Sequence, residues 1–431
     1  MDEEIFDVIV IGGGVAGAVA AYQLAQAGKE VVLIERGAEP GSKNLSGGVF
    51  YCQVMEQVFP DFINVAPVER VITRNVISFL NKTSHVNIDY WDQRLTEPAN
   101  AVTVLRAKLD AWLVEQCEEA GIMVMPGVRV DSLLMENGAC VGVRAGEDEL
   151  RARLVIAADG VNSFIARDAG LREQEPMKHL AVGVKSVVKL DRQVLEDRFR
   201  LTGNEGVAYA IVGDATQCIA GGAFLYTNQD SVSLGVVMRL DDLAAKGKVS
   251  SEVHDYFLAH PAIAPLIEGG ELLEYGCHLT IEDGPAMVRN KLTAPGLMLV
   301  GDAAGFTLNT GLAIRGMDLA AGSALAAVKA ALAALENNDF SQAAMDKYQV
   351  ELDTSFVGQD MKTYKNAPHF LENKRMYESY GPLLSSILFD LFNMDTKPAR
   401  PAVKVAFAAF KRSGLKVLDV VRDAISAAKS L

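Results

Sequence analysis

The chain has no C-x-x-C pair. Its five cysteines (Cys52, Cys117, Cys140, Cys218 and Cys277) are scattered, which suits free thiols in a reducing compartment better than disulfides, a zinc site or a thiolate-held iron–sulfur cluster. Histidine is nearly as sparse, with six residues and no H-E-x-x-H or similar metal-binding spacing, so no metal is expected. No Ser-His-Asp or Cys-His set for nucleophilic catalysis suggests itself. Positive charge is short too. Lys and Arg total 41 against 55 Asp and Glu, and the formal charge of −14 has the wrong sign for a nucleic-acid partner. No apolar run approaches the roughly twenty residues that span a bilayer. The start at Asp2-Glu3-Glu4 lacks the basic segment of a secretory leader. Cytosol is the expected compartment.

What is present begins at the first strand. Val8-Ile9-Val10-Ile11 reads as a strand buried on both faces, followed by Gly12-Gly13-Gly14-Val15-Ala16-Gly17 and an alanine-rich helix. Glycines at this spacing supply a tight turn, a close backbone approach to a pyrophosphate and close helix–sheet packing, while the helix's first amides attract anions. A second strand, Val31 to Ile34, ends at Glu35, roughly twenty residues on, where a carboxylate accepts hydrogen bonds from ribose hydroxyls. Glu35 opposes a 2′-phosphate there, and Arg36 beside it is the one contrary charge. No second glycine fingerprint of this quality occurs, so a separate NAD(P)H domain is not expected.

At 431 residues the chain exceeds the usual size of one core, and two interwoven domains are expected. The loop from Gly37 to Gly48 is too glycine-rich and polar for a strand or helix, and is either an ordinary surface loop or a place where backbone amides approach a flat ring. Strand-like segments at 76–80 and 86–90 begin a β-rich excursion. Arg106 opens a helix closed by Gly121, and a cation in a first turn is either solvated or partnered by a phosphate or a ring. Short strands are expected at 123–125 and 128–130, then a hairpin turning at Asn137-Gly138. The strand 154–158 delivers Asp159-Gly160 at its C-terminal end, where ligands bind in open α/β sheets. From Ala181 to Cys277 the pattern is that of an antiparallel sheet. Leu297 to Gly305 returns to the nucleotide fold, and Asp302 should face hydroxyls. An alanine-rich helix is expected from Gly311 to Leu335, its N-terminus able to receive negative charge.

Gly12-x-Gly14-x-x-Gly17 with Glu35, Ala158-Asp159-Gly160 and Gly301-Asp302-Ala303-Ala304-Gly305 together resemble the flavoprotein fold of the para-hydroxybenzoate hydroxylase and geranylgeranyl reductase group. The resemblance implies FAD, with its pyrophosphate on Gly12, Gly13, Gly14, Val15, Ala16 and Gly17 and its ribose on Glu35 beside Arg36. It also implies Arg106 and Asp302 along the flavin chain, the Val130 backbone at the adenine, and Gly311 and Leu312 at the isoalloxazine; Gly47, Gly48, Asp159 and Gly160 complete the expected cofactor-binding set. Over its whole length the chain is similar to FixC proteins and electron transfer flavoprotein–quinone oxidoreductases, through Lys43-Asn44 with Gly47-Gly48, Pro67-Val68-Glu69-Arg70, Val104-Leu105-Arg106, Gly221 to Thr227 and Ile314-Arg315-Gly316-Met317-Asp318. Phe224 and Tyr226 are thereby candidates for a quinone pocket or, equally, for sheet core. With the last cysteine at Cys277, the tail cannot ligate the cluster that the quinone oxidoreductases carry. The resemblance therefore implies a separate ferredoxin-like iron–sulfur subunit, with electron transfer flavoprotein subunits upstream.

The expected fold is α/β, a Rossmann-like FAD-binding domain (1–66, 105–178 and 286–340) interleaved with an antiparallel β-sheet substrate domain (67–104 and 179–285), plus a helical C-terminal region (341–431). The expected activity is FAD-dependent electron transfer from an electron transfer flavoprotein to a quinone, an iron–sulfur subunit or both, with no side-chain nucleophile. Reduction of isoprenoid double bonds and a non-catalytic flavin scaffold are the alternatives. Residues 397–431 hold eight Lys or Arg against two Asp, with Val403, Phe407, Phe410, Val417, Val421 and Ile425 near one face. That stretch either meets anionic lipid at the inner face of the plasma membrane, docks an acidic partner, or packs on its own domain.

Overall fold

The computed structural model describes residues 5–42, 47–288, 291–396 and 398–431. Lys43 and Asn44, part of the resemblance above, lie outside them. In chain order come β1 (Ile5–Ile11), α1 (Val15–Gln26), β2 (Val31–Glu35), β3 (Gly48–Tyr51), β4 (Val68–Asn81), β5 (Ser84–Trp91) and β6 (Ala101–Val104). They are followed by α2 (Arg106–Glu119), β7 (Met123–Pro126), β8 (Ser132–Glu136), β9 (Ala139–Ala145) and β10 (Asp148–Ala157). The chain continues through β11 (Leu180–Lys189), β12 (Glu205–Gly213), β13 (Gly221–Thr227), β14 (Ser231–Arg239), β15 (Glu271–Ile281), β16 (Thr293–Ala294) and β17 (Leu297–Leu299).

One sheet has the order β16-β17-β10-β1-β2-β7, with the β8–β9 hairpin on β10. Its central pairs are parallel, and parallel neighbours require crossovers, supplied here by α1 and α2. Residues 8–10 of β1 are fully buried because both faces are covered, which is why they read as an unbroken apolar run. The second sheet runs β15-β11-β14-β13-β12-β4-β6-β3 with β5 beside β4. It is antiparallel throughout except where β12 lies parallel to β4, the seam at which the two excursions meet. Each excursion is built of antiparallel neighbours, whereas strands separated by the whole nucleotide-binding segment are free to run the same way.

Four expectations change. The strand Gly48–Tyr51 falls inside the segment 1–66 assigned to the first domain, yet it pairs with β6 in the second sheet. Residues 128–130 form no strand: Gly127 turns at φ +76°, Val128 N bonds to Glu35 O at 3.0 Å, and the chain then leaves the sheet edge. The alanine-rich helix α3 begins at Met317 and ends at Asn337, because Gly311 (φ +76°) turns a small hairpin between Leu308–Asn309 and Ile314–Arg315. By length and composition α3 could cross a membrane, contrary to the expectation that no segment would, but 72% of its apolar window is buried in the protein. Its alanines let it pack closely in the first core, so it serves as a core helix.

The C-terminal region carries α4 (Tyr380–Phe392), α5 (Ala402–Ser413) and α6 (Val417–Ser430). A polar clip anchors α6: Asp423, only 8% exposed, accepts from Arg375 Nε at 2.6 Å and Nη2 at 2.5 Å, and from the Tyr380 hydroxyl. Val405 and Ala409 are buried, while Val403, Phe407, Val417, Leu418, Val421 and Ile425 face outward with Phe389 and Phe392 of α4.

Candidate functional site

At the C-terminal edge of β1 the chain must turn sharply into α1. Gly12 has φ +103°, a conformation that side chains resist, and its α-carbon abuts the Ala158 carbonyl at the end of β10. Gly17 lies against the Gly12 carbonyl, where any Cβ would overlap. These two approaches hold the first turn of α1 over the strand ends. That turn contains no acidic residue and no side-chain cap, so its amides are open to an anion. Beside it the Arg106 guanidinium reaches past Gly14, held by Asp110, which is fully buried and accepts from Nε and Nη2 at 2.8 Å each. Glu35 accepts from Gly13 N at 2.7 Å and Gly37 N at 2.5 Å, which fixes its carboxylate at the opposite lip.

From this phosphate cradle a cleft of about 740 Å³ runs between the two sheets. Asp302 follows β17, on a turn tied to α3 by Gly301 N donating to Ser323 Oγ at 3.0 Å. Its carboxylate accepts from Thr307 Oγ1 at 3.0 Å, and burial pushes its pKa up against that bond and the nearby Arg106, His278 and Arg172. At the far end stand Gly48, whose α-carbon faces Met317 Cε, and Gly47, whose carbonyl accepts from Lys185 Nζ at 3.1 Å. Lys185 lies 5.3 Å from the centroid of the Phe224 ring, and Phe224 stacks on Tyr226 at 4.9 Å and 22°. Burial lowers the Lys185 pKa to about 8, helped by Arg106 and opposed by Glu274. Burial also lowers His278 and raises Tyr226, and it carries Glu282 up to about 7 against an Asn309 hydrogen bond.

Fifteen of the residues singled out in the sequence line this one cleft: Gly12, Gly14, Val15, Ala16, Glu35, Arg36, Gly47, Gly48, Arg106, Val130, Asp159, Gly160, Phe224, Tyr226 and Asp302. Gly13 and Gly17 support it from behind. Asp159 differs in role, since its carboxylate already accepts from Ser163 Oγ and Ile165 N at 3.1 Å each and so caps the short helix that follows. Gly311 and Leu312 do not line the cleft; Leu312 is exposed on the hairpin turn, and Gly316 and Met317 take the place expected for them. Lys185, His278, Glu282 and Asn309 were not anticipated. The signal for Lys185 was a cation directly after the apolar run Ala181 to Val184.

The donor set fits FAD. A glycine cradle with free helix-terminal amides suits a diphosphate, carboxylates at Glu35 and Asp302 suit ribose and ribityl hydroxyls, and a flat aromatic end suits the ring. FAD supplies a two-electron carrier, and the protein positions it and excludes water. Among the described residues no group of three or more His, Cys, Asp or Glu side chains comes together as a metal site.

Comparison with known proteins agrees with this geometry. Residues 6–212 match an FAD binding domain, and residues 367–431 match the ETF-QO/FixC family C-terminal domain. The chain is 45% identical over 432 residues to a probable electron transfer flavoprotein-quinone oxidoreductase, YdiS, of Escherichia coli (strain K12), covering 100% of both chains. It is 42% identical over 430 residues to Protein FixC of Salmonella typhi, covering 98% of this chain and 100% of that one. Among solved structures, a geranylgeranyl bacteriochlorophyll reductase-like protein from Thermoplasma acidophilum superposes with a TM-score of 0.72 at 21% identity, over 98% of this chain and 99% of that one. The flavin-dependent brominase Bmp2 superposes with a TM-score of 0.63 at 15% identity, over 98% of both chains. These two likenesses concern the fold.

Proposed function

The chain belongs to the ETF-QO/FixC family of FAD-dependent electron-transfer oxidoreductases, and from that premise we propose that it accepts electrons from an electron transfer flavoprotein and passes them to a quinone. The observation that carries the quinone half is the far end of the cleft. There the stacked Phe224 and Tyr226 rings form a flat apolar wall next to the Gly47-Gly48 turn, and among the described residues the Tyr226 hydroxyl makes no hydrogen bond. A planar quinone finds an aromatic face and a phenolic donor at that wall.

In this reading the α1 amides and Arg106 hold the diphosphate, Glu35 and Asp302 the sugar and ribityl hydroxyls, and the second sheet covers the ring against water. The tail offers no cysteines, so any iron–sulfur relay is a separate ferredoxin-like subunit. The cytosol is the compartment, with α5 and α6 resting on the inner face of the plasma membrane: Phe407, Leu418 and Val421 are exposed among Lys404, Lys411, Lys416 and Arg422, a pairing that suits anionic lipid.

The test is reoxidation of the bound flavin. Purified holoprotein reduced anaerobically by a reduced electron transfer flavoprotein should be reoxidised by a short-chain quinone, and Tyr226→Phe should raise the quinone KM several-fold without changing the visible spectrum. Turnover of a prenyl lipid with no response to quinone would overturn the proposal, and so would a flavin that neither reagent cycles.

A further inference from the structure

The half-buried arginines Arg106 and Arg315 have ionic partners: Arg106 has Asp110, and Arg315 has Asp318 and Asp360. Lys185 is different. It projects from the middle of β11 into the cleft, and among the described residues its Nζ makes no ion pair, the carboxylate that acts on it from longer range being Glu274. Its neighbours are a carbonyl oxygen, that of Gly47, and the face of Phe224. An ammonium withdrawn from water without a counter-ion is costly, and such an arrangement is retained where the group meets an anion in use.

That anion is not the diphosphate. The phosphate cradle belongs to Gly12–Ala16 and Arg106, whereas Lys185 stands on the opposite sheet against Gly47 and Phe224, the side that the proposed function leaves to the ring. The oxidised ring is neutral. On taking up two electrons and one proton it becomes an anion, and a second proton is needed to make it neutral again. We propose that the Lys185 ammonium is the counter-ion of the reduced flavin ring, holding it in the singly protonated, anionic form and favouring reduction. The N-terminus of α3, with Gly316 and Met317 on the same wall, adds a partial positive charge of the same sense, offset in part by Asp318 in its first turn, which is paired with Arg315. Other charged groups facing this point are Arg106 from α2 and Glu274 and His278 from β15. With a pKa of about 8 before the anion forms, the lysine is charged at neutral pH, and the anionic ring would hold it so. The inference holds for any donor and acceptor and does not depend on the quinone.

The experiment compares holoprotein carrying Lys185→Met, Lys185→Gln and Lys185→Arg with the unaltered chain. Dye-coupled reductive titration gives the two-electron potential, and sulfite, which adds to the oxidised ring and leaves it anionic, gives a second readout independent of turnover. Lys185→Met should lower the equilibrium constant for reduction about tenfold, a potential drop of about 30 mV for a two-electron couple, and weaken sulfite binding by a similar factor. Lys185→Arg should stay within about threefold of the unaltered chain in both. Lys185→Gln, which keeps a donor for Gly47 without the charge, should behave like Lys185→Met and serves if the methionine variant does not fold. Oxidised FAD affinity should be unchanged in all three. Unaltered potential and sulfite affinity in both neutral variants would overturn the proposal, as would a loss of oxidised FAD binding shared by the arginine variant.

Discussion

Gly17→Ala isolates the packing on which the phosphate cradle depends. A Cβ built there overlaps the Gly12 carbonyl oxygen and sits 3.1 Å from the Gly12 carbonyl carbon and 3.3 Å from Ala158 Cβ. Two of these three are backbone atoms with nowhere to go. Restoring the 3.0 Å below which Cβ atoms essentially never approach requires α1 to withdraw by about 1 Å, an overpacking that costs about 1–3 kcal/mol. Alanine's better helix propensity offsets at most about 1 kcal/mol of this. The first-turn amides move with the helix, so the loss should appear in cofactor affinity: about 1.4 kcal/mol is a tenfold rise in Kd, and a ten- to hundredfold rise is expected. Gly28→Ala is the control just beyond the other end of α1. Its φ of +74° also penalises alanine, by about 1 kcal/mol, but nothing lies within 4 Å of the new methyl, so stability should fall while FAD affinity does not. Fluorescence titration of the apoprotein with FAD, alongside thermal melts, separates the two effects. A Gly17→Ala protein that binds FAD within twofold of the unaltered chain would refute the reasoning.

Arg106→Met removes the two Arg106 donors, each at 2.8 Å, from the fully buried Asp110 carboxylate and should cost about 1.5–3 kcal/mol in denaturant unfolding, with weaker FAD binding. Glu282 is raised from 4.5 to about 7 by burial, so its neutral form fits the folded state. Its contribution is therefore fully present below pH 4.5 and is lost as pH rises through 7, by up to about 3 kcal/mol in the apoprotein, and Glu282→Gln should flatten unfolding curves between pH 5 and 8. In native protein a thiol reagent should label exposed Cys277 first, while Cys52, Cys117 and Cys140, buried with raised pKa values, should react only on unfolding, as peptide mapping would show. Full-length protein should sediment with anionic vesicles, and Leu418→Asp with Phe407→Asp should release it without altering the flavin spectrum; equal sedimentation with neutral vesicles would contradict the charge argument.

The cradle was legible before any coordinates because its physics is local. Gly12, Gly17 and Glu35 act within one strand–turn–helix–strand unit, and the constraints that demand glycine at Gly12 and Gly17 operate over a few residues. Asp302 was legible for the same reason, as a carboxylate among small residues at a strand end. Two misreadings were local as well, but fell where a single glycine outweighs the pattern: Gly127 turned the chain away where 128–130 were expected as a second short strand, and Gly311 turned a hairpin in what composition presented as helix. What no local pattern contained were pairings across long stretches of chain. The parallel junction of β4 with β12, the placement of β3 in the second sheet and the arrival of Lys185, His278 and Glu282 opposite the phosphate cradle follow from burying two sheets against each other. The sequence determined that a dinucleotide is held and by which glycines and carboxylates. Only the tertiary structure decided what the second sheet presents to the ring, because side-chain alternation says which residues share a face of a strand and leaves open what that face meets.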